Sequence, residues 1–121
     1  MTDMSEKMTE EERVLCGANA YDQKYYFNPR FDSIPDSIKD ELHVIAVLFT
    51  EEVGGIFTIG FDEDGTVTFR TEYDPEDYLY DEIGSGLLVG EIRRKRRDLF
   101  ETLTLYYRTV FLGEDITATE E

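Results

Sequence analysis

The sequence predicts an α+β fold: a two-layer sandwich in the order β-β-α-β-β-α, with an antiparallel sheet of about four strands and two helices packed on one face. Three observations lead there. Phe57, Ile59 and Phe61 alternate along one short run, and Val67 and Phe69 along the next, with "DEDG" between them. Two longer stretches, from Ile38 to Val53 and from Leu88 to Val110, carry apolar residues at helical spacing. The chain has 121 residues with 8 Phe and 8 Tyr, enough to fill one core.

Taken in order, "RVLCGANAYDQKYYFN" places an apolar run and an aromatic run either side of a polar, turn-capable "ANAYDQ". It reads as a hairpin with strands near residues 14–18 and 24–28. A helix over about 34–52 follows. Ser33 and Asp36 have the spacing of a capping box, Pro35 suits a first turn, and Gly54 suits the position just past the helix end. Ile38, Leu42, Ile45, Phe49 and Val53 form its main stripe, but Val44, Val47 and Leu48 add apolar surface outside it. A helix apolar over so much of its circumference is either central to the fold or part of a subunit interface. In the second hairpin, Gly65 supplies a positive φ at the end of the turn. After the link "EYDPEDYLYDE", a single long helix through Leu88, Ile92, Leu99, Leu103, Tyr106 and Val110 ends at Gly113.

The charge is strongly acidic, 12 Lys and Arg against 28 Asp and Glu, a net −16. Direct nucleic-acid binding is excluded on that balance, because phosphate affinity comes from cations releasing counterions. The ends hold half of the charge, so residues 1–12 and 114–121 read as disordered acidic tails around one domain at 13–113. One Cys, Cys16, forbids an internal disulfide, and no apolar stretch resembles a signal or a membrane span. A cytoplasmic location is expected.

The spacing Gly84, Gly86, Gly90 fits neither common phosphate-loop pattern, and Asp81 and Glu82 beside it would repel an anion. Gly84 and Gly86 read as a turn into the helix, and Gly90 as a close approach of helix to sheet. The run Arg93–Arg97 reads as a solvated, salt-bridged face, since Glu91 with Lys95, Arg94 with Asp98 and Arg97 with Glu101 stand four apart. Arg96 is placed at the core boundary. Cys16 and His43 read as a buried structural thiol and a boundary residue, so no catalytic residue is assigned. "FDEDGT" lacks the calcium-hand pattern, and no metal or cofactor is assigned.

The link remains. Tyr73, Asp74, Glu76, Asp77, Tyr78, Tyr80 and Asp81 interleave tyrosines with acids in a way that suits docking of a protein partner. "LCGANAYDQKYYFN", "SIKDELHVIAVLFTEEVGG" and "DEIGSGLLVGEI" with "LFETLTLYYRTVFLGED" resemble a family of short uncharacterised proteins of clostridial Firmicutes, particularly Lachnospiraceae, carried as a domain of unknown function. The resemblance covers about residues 13–115. It implies a cytoplasmic bacterial protein and brings no catalytic residue, ligand or cofactor.

The expected function is a non-catalytic protein-interaction or regulatory module. It would bind a partner through the link and form a homodimer through Val44, Val47 and Leu48. Two alternatives stay open: an acidic decoy that imitates nucleic-acid charge, and a divalent-metal or small-ligand binder using Asp74, Asp77, Asp81 and Glu82.

Overall fold

The computed structural model describes residues 8–114. A four-stranded antiparallel sheet runs in the order β2-β1-β3-β4, from β1 (Val14–Asn19), β2 (Lys24–Phe27), β3 (Ile56–Phe61) and β4 (Val67–Glu72). Both predicted hairpins are present. In the first turn the Asn19 carboxamide oxygen accepts the backbone N–H groups of Tyr21 and Asp22 at 2.8 and 3.1 Å, and Gln23 takes the left-handed φ of 54°. In the second, Asp62 accepts from Asp64 and Thr66, both at 3.0 Å, and Gly65 takes φ 94°.

Register decides which residues meet. Cys16 lies opposite Ile59 and Phe27, Ala18 opposite Phe57, and Ile59 opposite Phe69. These side chains share the face turned to the helices. Thr58 and Arg70 are partners on the other face, where Arg70 pairs with Glu72 and Glu10 at 3.2 Å each. A register shift between Val14 and Cys16 buries Leu15 and Cys16 in succession, which strict alternation would not allow.

The first helix, α1 (Asp36–Val53), starts and ends close to the predicted limits, but its capping differs. Pro35 is the N-cap and no side chain caps the helix; the Ser33 hydroxyl instead lies 2.6 Å from the Tyr106 hydroxyl. The expected capping box is not formed, because Ser33 is used to hold the helix entrance against the last helix. Lys39 reaches back to Asp32 at 2.8 Å on the same side. At the other end Gly54 and Gly55 take φ 86° and 72° and turn the chain directly into β3.

Where one long helix was expected there are two, α2 (Glu82–Lys95) and α3 (Arg97–Val110), broken at Arg96 with φ −115° and ψ 30°. No glycine or proline marks the break. Ending α2 at Lys95 places Arg93, Arg94 and Lys95 in its last turn, where the helix dipole favours cations, and Asp98 in the first turn of α3. Five consecutive bases in one continuous helix would instead repel at three- and four-residue spacing. Of the expected pairs, Glu91 and Lys95 meet at 2.7 Å; Arg94 and Asp98 fall on opposite sides of the break, and Arg97 makes no ion pair among the described residues. Arg96 reaches across to Glu41 on α1 at 2.6 Å.

The core is a row of rings. Phe49 of α1 stacks on Phe57 at 4.0 Å, Phe57 on Phe69 at 6.0 Å, and Phe100 of α3 meets Phe69 edge-on at 5.0 Å. Tyr107 of α3 packs on Phe61 at 4.7 Å, and Phe31, just before α1, sits between Phe61 and Phe111. Each such side chain contributes about 1.5–3 kcal/mol by leaving water. α2 packs chiefly on α1 and α3 rather than on the sheet, through Leu88, Val89 and Ile92. Its outer side is left bare.

Near the N-terminus, residues 8–12 form part of a turn in which Thr9 and Glu12 exchange side-chain-to-backbone hydrogen bonds at 3.0 and 3.1 Å. The rest of the expected tails, 1–7 and 115–121, lies outside the described residues.

Candidate interaction surface

The link between β4 and α2 is an ordered strap. The Tyr21 hydroxyl, from the first hairpin turn, donates to Asp77 Oδ2 at 2.7 Å and accepts the Asp74 N–H at 2.9 Å. Asp77 holds the Tyr21 phenol above its ordinary pKa, since a carboxylate beside the hydroxyl disfavours phenolate. Tyr73 and Tyr80 stack at 4.3 Å; Tyr73 donates to Glu82 at 2.8 Å and Tyr80 to Ser85 at 2.8 Å. Asp74 and Asp77 each accept a backbone N–H two residues on, and Asp81 caps α2 by accepting the Gly84 N–H at 2.8 Å.

Most of the predicted docking residues therefore serve the strap itself. Tyr73, Asp74, Asp77, Tyr80 and Asp81 are engaged internally, while the Glu76 carboxylate and Tyr78 point outward unpartnered among the described residues. For the same reason Asp74, Asp77, Asp81 and Glu82 do not converge on a cation. Among the described residues no group of three or more His, Cys, Asp or Glu is arranged to hold a metal ion.

The strap delivers a bare apolar surface that the sequence reading did not single out. Tyr78 is 91% exposed, Leu79 93%, Ile83 79% and Leu87 72%. The 100° step of a helix puts Ile83, Leu87, Gly90 and Arg94 on one stripe of α2, opposite buried Ser85 and the packed pair Leu88 and Ile92. A Cβ built on Gly86 or Gly90 would meet nothing within 4 Å, so Gly90 does not serve close approach to the sheet, as expected from sequence, but lies on the outer side. Placing the helix start at Leu88 hid this stripe. The signal that finds it is Asp81 as an N-cap, which places the helix start at Glu82 rather than at Leu88.

On α1, Val44 and Leu48 are half exposed and Val47 is partly covered, so these self-association candidates form a smaller, less exposed surface. Nearby, a cleft of about 630 Å³ opens between the first hairpin and α1, lined by Asn19, Lys24, Tyr25, His43, Thr50 and Glu51 among others. His43 stacks on Tyr25 at 4.2 Å. The Tyr25 hydroxyl points inward beside Cys16 and finds no partner with hydrogen-bond geometry among the described residues. Burial pushes the Cys16 thiol up to about 12 and raises the Tyr25 phenol too. A thiol so protonated at neutral pH is no nucleophile. Cys16 acts as a small core residue.

Among the described residues, no helix is long and apolar enough to cross a membrane. No curated protein and no solved structure matches the chain. Residues 12–115 match the sequence profile of DUF6145, a family of unknown function, and the chain belongs to that family.

Proposed function

We propose that the chain is a non-catalytic protein-interaction module that docks a protein through the outer stripe of α2, with the acidic strap as its rim. One observation supports this above the others: four large apolar side chains, Tyr78, Leu79, Ile83 and Leu87, stand 72–93% exposed on ordered, hydrogen-bonded backbone. Scattered exposed apolar residues are ordinary, but four large ones within residues 78–87, two at the end of the strap and two on one helix stripe, favour a covered surface. The strap's own hydrogen bonds fix this surface in shape, so little ordering entropy opposes docking.

The test is a photo-crosslinking residue placed at Ile83 in the full chain, expressed in cells, with Thr68 on the opposite side of the sheet as the control position. A protein adduct at Ile83 that is absent at Thr68, and lost on adding Leu87→Asp, is the expected result. Equal adduct yields at the two positions, or none at Ile83, would contradict the reading.

A further inference from the structure

We propose that the occupant of the α2 stripe is a second copy of this chain, lying antiparallel across a two-fold axis; this rests on the interaction reading above and names its partner. The argument begins with charge. The entry to α2 is acidic, with Glu76, Asp77, Asp81 and Glu82, and its exit is basic, with Arg93, Arg94 and Lys95 in the last turn and Arg97 just past the break. At the exit, Arg93 lies over the Phe69 ring at 4.6 Å, Lys95 pairs with Glu91 and Arg96 pairs with Glu41. Arg94 and Arg97 are exposed and make no ion pair among the described residues. A helix acidic at one end and basic at the other complements a copy of itself only when the two run in opposite directions. A two-fold axis imposes that direction.

Register supports the same arrangement independently. Gly86 and Gly90 are the two places on the outer side where backbone can approach most closely, since a Cβ at either would stand in open space. Setting Gly86 of one copy against Gly90 of the other centres the contact on residue 88. The same centre sets Arg94 of each copy level with Glu82 of the other, whose carboxylate accepts the Tyr73 hydroxyl at 2.8 Å through one oxygen and keeps the other for the pair. Close approach and opposite charge thus fall into one register without adjustment. Leu87 and Ile83 then lie along the seam, with Tyr78 and Leu79 at its ends.

A helix of 14 residues is about 21 Å long, so helix and strap together bury an area at the low end of the range for specific interfaces. A small contact of this kind is expected to be a weak dimer, in the micromolar range. Each copy also carries a net −16, so salt acts in two directions: it screens the repulsion between copies and weakens the end pairs. A charge exchange isolates the local pairs where a salt series would not.

The experiment is sedimentation velocity of the full chain, from about 1 to about 300 μM, a range chosen to bracket a micromolar dissociation constant. The wild type is expected to shift from monomer to dimer across it. Leu87→Asp, at a site 72% exposed, is expected to stay monomeric with an unchanged melting temperature. Arg94→Glu alone and Glu82→Arg alone should each weaken the dimer about tenfold or more, because each juxtaposes like charges twice. An equimolar mixture of the two variants restores both pairs and should regain the wild-type dimer. A wild type that stays monomeric, a dimer untouched by Leu87→Asp, or a mixture no better than its components would each overturn the proposal. An Ile83 adduct to a different protein, with a monomeric wild type, would remove the second copy as occupant and leave the interaction reading standing.

Discussion

At Gly55 the fold depends on a single missing carbon. The residue takes φ 72°, and a Cβ there would stand 2.5 Å from the Glu72 carbonyl oxygen and 2.7 Å from the Tyr80 ring. Backbone cannot yield as a flexible side chain can, so Gly55→Ala combines left-handed strain with a clash and is expected to cost about 2–4 kcal/mol in urea unfolding. A loss under about 0.5 kcal/mol, the range of an ordinary surface change, would contradict this placement. Cys16 and Tyr25 give a second prediction at this scale. The thiol ionises near 9.0 when free but only near 12 when folded, so its contribution is complete below pH 9 and is lost as pH rises toward 12. Tyr25, also raised, acts in the same direction from 10.0 upward. Stability should fall above pH 9 with a slope approaching about 1.4 kcal/mol per pH unit for each group. Cys16→Ser should flatten the decline between pH 9 and 10; an unchanged slope would show that the thiol does not drive it. The sequence made Cys16 legible as a core residue, because a lone Cys in an apolar run is most often that. It did not reveal the fate of Ser33, whose cap spacing is local while its partner, Tyr106, lies 73 residues away.

Among the elements, α2 was least legible and matters most. The two hairpins and α1 announce themselves by alternation, turn chemistry and helical spacing, all local signals that the packed fold respects. The start of α2 is different: its first two turns carry Gly84 and Gly86, and glycine is read as turn or linker because it weakens helices. Here packing of Leu88, Val89 and Ile92 against the other helices, and the Asp81 cap, outweigh that preference. The break at Arg96 was equally hidden, since it follows from charge and from packing on two different surfaces rather than from a breaker residue. Gly86→Ala with Gly90→Ala therefore has a signed expectation. Both sites lie in open space within a helix, so the double variant should stabilise the monomer by about 1–2 kcal/mol in urea unfolding. The same two methyl groups should weaken the dimer by blocking close approach. A double variant that destabilised the monomer would mean that one of these glycines is packed, not open.

For the whole molecule, the α+β class and the four-stranded antiparallel sheet were legible; the third helix was not. Three stretches spread along the chain carried the family resemblance, and the match over residues 12–115 takes in every described helix and strand. The candidate surface was legible only at its rim. Sequence order placed the tyrosines and acids of the strap correctly in a loop, but only the fold shows that Tyr21, Glu82, Ser85 and the Gly84 N–H together engage most of them and that Leu79, Ile83 and Leu87 are left uncovered. Net charge works against association at long range, and the pI is about 4.3, so moving from pH 7 toward pH 5.5 reduces that repulsion and should raise the dimer fraction at fixed concentration. The most direct test of the α2 surface is amide hydrogen exchange of the full chain, compared at low micromolar and high micromolar concentration. Slower exchange on concentration, confined to residues 78–94, is the predicted result. Exchange that is independent of concentration, or slowing centred on Val44 and Leu48 of α1 instead, would contradict it.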